Sequence, residues 1–158
     1  MISKRQLLAG AAAGAALPFL ARAASNGPAF EVVHTQSEWK KLLTARQFQV
    51  LRLSATEAPF SSPLLEEHRK GLFTCAGCDR DLYSSTTKYE SETGWPSFWQ
   101  PLPGAVGTTR DISLGDDRTA VHCSRCGGHL GHVFQDGPRP TGLRYCMNGV
   151  ALTFRPGA

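Results

Sequence analysis

The chain has 158 residues, of which 41% are hydrophobic and 19% charged, and a formal charge of +4. That length suits one domain with its own hydrophobic core, formed without help from disulfides. Lys4, Arg5 and Arg22 carry most of the positive excess, and beyond residue 23 there are 14 basic and 13 acidic residues. Nucleic-acid binding needs clustered Lys and Arg, so that class of partner is excluded.

The first 23 residues have the layout of an export signal. Ser3-Lys4-Arg5-Gln6 is positive, Leu7 to Leu20 is apolar and rich in Ala and Gly, and Ala21-Arg22-Ala23 offers a small-x-small cleavage site. An apolar stretch of that length is short for a membrane span. The segment from Ser3 to Leu8 is similar to a twin-arginine export motif with Lys in the first position, and ordinary Sec export is the alternative. The expectation is a signal peptide over 1–23, a linker over 24–36 and a folded domain over 37–158. The destination expected is a bacterial periplasm, with no membrane attachment once the signal is cleaved; an uncleaved anchor is the competing outcome.

Ser37-Glu38-Trp39-Lys40 predicts a helix with Ser37 as its N-cap, because Trp39, Leu42 and Leu43 recur at helical spacing. Gln47 to Leu53 reads as a strand or a second short helix. Pro59 and Pro63 bracket a loop, and Leu64 to Lys70 predicts a further short helix that Gly71 stops. From Leu72 onward, short apolar runs alternate with Gly, Pro, Asp and Ser clusters. The predicted strands are 72–74, 81–83, 105–106, 119–122, 132–134, 143–146 and 150–154. Their spacing points to a mainly β domain of antiparallel sheets joined by hairpins.

The five cysteines divide into two CxxC hooks, Cys75/Cys78 and Cys123/Cys126, and one remainder, Cys146. Two such hooks present four thiolates to one tetrahedral ion, and the site would be one structural zinc per chain with no open position for catalysis. The 44 residues between Cys78 and Cys123 make it a clip on a larger domain and not a small zinc finger. Iron in the same four sulfurs, as in a rubredoxin-like electron carrier, is compatible with the ligands alone.

Cys146 is left over. On a strand, Arg144 and Cys146 share a face, and Asn148 continues it if the strand persists. Arginine beside a thiol favours the thiolate nucleophile. His129 and His132 supply a group titrating near neutrality, able to give a proton to a leaving oxygen, and Trp95 adds an apolar wall. A nucleophile, an acid, a cation and a wall are the parts of an active site.

The segments Gly94-Trp95-Pro96-Ser97-Phe98, His129-Leu130-Gly131-His132-Val133-Phe134, Asp136-Gly137-Pro138 and Arg144-Tyr145-Cys146-Met147-Asn148 resemble the methionine sulfoxide reductase B family. So does the upstream Thr56-Glu57-Ala58-Pro59-Phe60, and the likeness runs from about Leu51 to Phe154. It implies reduction of the R epimer of methionine sulfoxide, free or in proteins, by a monomer that repairs oxidative damage. The implied fold is a β-tent of two antiparallel sheets with short N-terminal helices and a structural zinc clip. The implied roles are Cys146 as nucleophile, Trp95 and Phe134 at the substrate, Arg144 beside the thiolate, and His129, His132 and Asn148 around the sulfoxide oxygen. Where many members carry a second, resolving cysteine, this chain has Thr93. The expected reductant is therefore external, a thioredoxin-like protein or another thiol. The alternative function is a zinc-stabilised binding module of the same fold without catalysis.

Overall fold

The computed structural model describes residues 30–157; the expected signal peptide and the start of the linker lie outside them. Two short helices come first, α1 (Gln36–Leu42) and α2 (Ala45–Leu53). Both begin with a capping box: Thr35 with Glu38, and Thr44 with Gln47. The N-cap of α1 is thus Thr35 and not Ser37, because Glu38 stands three residues after Thr35 and its carboxylate accepts the Thr35 N–H at 2.7 Å. Gln47 to Leu53 is helical. Only Pro63–Glu66 of the expected third helix forms, as one 3-10 turn, and Gly71 already belongs to the first strand.

Nine strands follow among the described residues: β1 (Gly71–Cys75), β2 (Asp81–Ser84), β3 (Lys88–Tyr89), β4 (Ser97–Phe98), β5 (Val106–Asp111), β6 (Arg118–Cys123), β7 (His129–Phe134), β8 (Arg144–Met147) and β9 (Leu152–Pro156). They form two antiparallel sheets, ordered β2-β1-β9 and β3-β4-β8-β7-β6-β5.

The core lies between the sheets. Phe73 of β1 and Tyr83 of β2 meet Phe98 of β4, with ring centroids 4.9 and 4.3 Å apart, and the Tyr83 hydroxyl donates to Met147 Sδ at 3.2 Å. These four side chains are fully buried, each worth roughly 1.5–3 kcal/mol of apolar burial. Period-two alternation along β8 then fixes the function-bearing face. Met147 points into the core, so Cys146 points the other way.

Residues 30–35, within the expected linker, pack against the second cysteine hook. Val32 N–H donates to the Arg125 carbonyl at 3.0 Å, Arg125 pairs with Glu31 at 2.9 Å, and the Phe30 ring sits against Gly127 and His122. No described helix is long and apolar enough to cross a membrane.

Candidate active site and metal centre

Cys75, Cys78, Cys123 and Cys126 converge, their sulfurs all within 4.8 Å of one another. Cys75 and Cys126 stand 3.7 Å apart, and Cys78 and Cys123 3.6 Å apart. Sulfurs about 2.3 Å from a tetrahedral zinc are separated by about 3.8 Å, so the arrangement fits. Each hook is a tight turn: Asp79 N–H donates to the Cys75 carbonyl at 2.8 Å and Gly127 N–H to the Cys123 carbonyl at 2.9 Å. Arg125 reaches from one hook to the Cys78 carbonyl of the other at 3.1 Å. From above, α2 seals the site with Leu51 against Gly128 and with Arg52 donating to the Cys126 carbonyl at 3.0 Å. Hydrogen bonding among the thiols, with burial added, holds the Cys75 thiol far above its ordinary range. The four cysteines are thus positioned to hold one metal ion, which would bind them as thiolates.

Among the described residues Cys146 belongs to no such cluster. It sits in a cross-strand row on the outer face of the six-stranded sheet: Tyr89, Ser97, Cys146, His132 and Ala120 are successive register partners. Ser97 lines a cleft of about 310 Å³ with Trp95, Tyr89 and Phe60. His132 lines another of about 720 Å³ with His129, Asp111 and Arg118. Cys146 is the register partner of both Ser97 and His132.

The two histidines share that face because of a bulge. Residues three apart on a regular strand point to opposite sides. Here Ala120 pairs with His132 and His122 with His129, so β7 spends one residue more than β6. The rings end 5.4 Å apart. Next to the bulge, Gly131 lets β7 and β8 approach, since a β-carbon there would collide with the Cys146 carbonyl oxygen.

The two imidazoles have different environments. His132 Nε2 lies 2.7 Å from Asp111 Oδ2, which also accepts from Arg118 at 2.8 Å. His129 is 8% exposed, and its buried Nε2 has no partner among the described residues. Burial first, and His132 second, push it down to about 4. His129 is therefore neutral at pH 7.

Arg144 shares the face of Cys146, as expected. Its guanidinium makes a two-pronged pair with Asp136 at 2.9 and 2.8 Å and lies 4.4 Å above the Phe134 ring. Phe134 is thus a platform for Arg144. Burial nevertheless raises the Cys146 thiol above its ordinary value, outweighing Thr93, Arg144 and Ser97, which all favour the thiolate. The arginine moderates the thiol and does not by itself ionise it.

Asn148 does not continue the face, because β8 ends at Met147. It is 3% exposed and turned inward, its Nδ2 donating to the Leu130 carbonyl at 3.0 Å and its Oδ1 accepting the Glu57 N–H at 2.9 Å. Glu57 is the residue that sequence reasoning left without a role. Its carboxylate accepts the N–H groups of Gly149 and, at 3.0 Å, Val150, while its carbonyl accepts the indole N–H of Trp95 at 3.2 Å. One residue thereby ties the end of the Cys146 strand to the Trp95 wall. The signal was there in the Thr56–Phe60 segment, but its partners Trp95, Asn148, Gly149 and Val150 lie far along the chain.

Residues 43–156 match the SelR domain family. A peptide methionine sulfoxide reductase MsrB of Leptospira interrogans serogroup Icterohaemorrhagiae serovar Lai is 52% identical over 127 residues, covering 80% of this chain and 97% of that protein. The Agrobacterium fabrum protein of that name is 48% identical, covering 80% and 94%. The Methanosarcina barkeri protein is 52% identical over 125 residues, covering 78% and 88%. Likeness at this level over nearly the whole described domain leaves one assignment: the chain belongs to the MsrB family of peptide methionine sulfoxide reductases.

Proposed function

We propose that the protein reduces the R epimer of methionine sulfoxide, free or in proteins, with Cys146 as nucleophile and an external thiol as reductant. Family membership makes it a peptide methionine sulfoxide reductase; the epimer, the sulfur chemistry and the residue roles are our reading. The Cys146 thiolate attacks the substrate sulfur while the sulfoxide oxygen takes up a proton. Methionine departs, and the oxygen ends on Cys146 as a sulfenic acid. Two equivalents of a thioredoxin-like or other thiol restore the thiol, forming a disulfide of the reductant and water.

The observation that carries this reading is the row Ser97–Cys146–His132, which puts a thiol outside the metal cluster directly opposite a histidine. His132 keeps one ring N–H on Asp111 and, as an imidazolium, offers the other to the oxygen. Neutral His129 gives that oxygen or its water a hydrogen-bond partner. Trp95, held by the Glu57 carbonyl, presents an apolar face to the S-methyl group, which separates a methyl from an oxygen and so one epimer from the other. Phe134 fixes Arg144 near the thiolate, and Asn148 positions the strand end. Cys75, Cys78, Cys123 and Cys126 would hold zinc, which supplies a cross-link between the hooks and no open coordination position.

The same reading includes export to a bacterial periplasm and action as a monomer in repair after oxidative stress. The test of the activity is an assay of the purified protein on separate R and S epimers with dithiothreitol. Turnover of the R epimer alone is expected, and equal turnover of both, or none, contradicts the proposal.

A further inference from the structure

Three hydroxyls stand in series beside Cys146. Thr93 Oγ1 is 3.9 Å from Cys146 Sγ and 2.9 Å from Ser91 Oγ. Ser91 Oγ is 2.7 Å from Ser97 Oγ, and Ser97 donates to the Trp95 carbonyl at 3.1 Å. The loop that brings them together turns at Gly94, whose φ of +92° only glycine adopts easily and whose carbonyl accepts the Phe60 N–H at 2.7 Å. A β-carbon on Gly94 would also strike Pro59. Ser97 is 1% exposed and is the register partner of Cys146.

Counting protons fixes the direction of this chain, because each hydroxyl has one to give. Ser97 gives its proton to the Trp95 carbonyl, which can only accept. Ser91 must then donate to Ser97, and Thr93 to Ser91. Thr93 is left facing the sulfur with a lone pair, which suits a neutral S–H donor. A thiolate is an acceptor and requires the opposite polarity. Ser97 must turn to Ser91, Ser91 to Thr93, and Thr93 to the sulfur, freeing the Trp95 carbonyl.

We propose that Ser97, Ser91 and Thr93 form a reversible hydroxyl chain that serves Cys146 in both protonation states. Ser91, which makes no hydrogen bond to the sulfur, is a positioning residue within it. The inference rests on Cys146 being the nucleophile of the proposed reaction. Thr93, standing where other members carry a second cysteine, supplies a hydrogen-bond donor to the thiolate in place of a second sulfur. The charged and titratable groups around Cys146 are Arg144 on its own strand with Asp136 behind it, His132 across on β7 with Asp111, and Tyr89 on β3. All are retained in the variants below, so a change in titration belongs to the hydroxyls. The hydrogen bond from Thr93 favours the thiolate against burial, as the chain requires of its last member.

The test is the rate of iodoacetamide alkylation of Cys146 in the zinc-loaded protein as a function of pH, read by mass spectrometry on the Cys146 peptide. Thr93→Val should move the midpoint up by about one pH unit, slowing alkylation at neutral pH about tenfold. Ser91→Ala should move it in the same direction by less, and Thr93→Ser should keep it in place. Unmoved midpoints in Thr93→Val and Ser91→Ala overturn the proposal, and a shift in Thr93→Val alone reduces it to a single contact and overturns the chain. Alkylation reports on the thiol whether or not the protein turns over sulfoxide. Failure of the nucleophile reading shows instead as Cys146→Ser retaining reductase activity.

Discussion

Glu57 and Asn148 grip each other across the site: the Glu57 N–H donates to Asn148 Oδ1 at 2.9 Å while the Glu57 carboxylate collects the next two backbone N–H groups, those of Gly149 and Val150. The Asn148 amide in turn holds the Leu130 carbonyl, so the strand carrying Cys146 and the bulged strand carrying both histidines are fastened at one point. Gly149 allows the close approach, because a β-carbon there would collide with Ser62.

Replacing Glu57 with Ala strands two backbone donors and should lower stability by about 2–4 kcal/mol. Glu57→Gln, which keeps one acceptor oxygen, should lose less. Urea unfolding of the two variants checks the ordering, and equal losses would place the stabilisation elsewhere.

Acid should weaken the fold first through His129. Its folded value of about 4 lies below the roughly 6.5 of a free imidazole, a difference worth about 3 kcal/mol. The folded value is the depressed one, so the unfolded chain binds the extra proton. Stability is therefore full above about 6.5 and falls as pH drops toward 4. Asp111, made more acidic by Ser113 and His132, and Asp136, made so by Arg144, lose their contribution only at lower pH. Thermal unfolding of His129→Gln against pH should show a flatter profile between 6.5 and 4 than the unmodified protein.

Removing the metal should unfold the domain and not merely slow it. Both hooks, α2 and residues 30–32 meet at the four cysteines, so any single one changed to Ser should lower the stability by several kcal/mol. Elemental analysis should give one zinc and no iron per chain. A metal-free chain that stays folded and active would contradict the structural role.

Thr93→Cys should create an intramolecular disulfide with Cys146 after one turnover, because Thr93 Oγ1 already stands 3.9 Å from the sulfur. Non-reducing peptide mapping checks it. Absence of that bond would mean that the Ser91–Gly94 loop cannot close further.

Much of this was legible in the sequence, and the boundary is physical. CxxC spacing is local chemistry, and it marked the four cysteines that converge where a metal ion could be held. Period-two alternation is also local, and it put Arg144 and Cys146 on one face. The helix start was missed by two residues because Ser37 is a good cap in isolation, whereas Thr35 alone has a glutamate three residues later. Strands β3 and β4 are two residues each, too short to show a period, though Ser97 lies directly beside Cys146. His129 and His132 share a face only through a bulge that pairing creates. Glu57, Asn148 and Asp111 matter through partners far along the chain, and no local pattern encodes those.

The most direct measurement treats the reduced, zinc-loaded protein with one equivalent of methionine R-sulfoxide in the absence of thiol, then traps with dimedone and maps every cysteine. The account predicts one methionine formed per chain, a dimedone adduct on Cys146, four unmodified metal-bound cysteines and retained zinc. A stoichiometric disulfide between Cys146 and another cysteine of the same chain, or methionine formed at the same yield by Cys146→Ser, would contradict it.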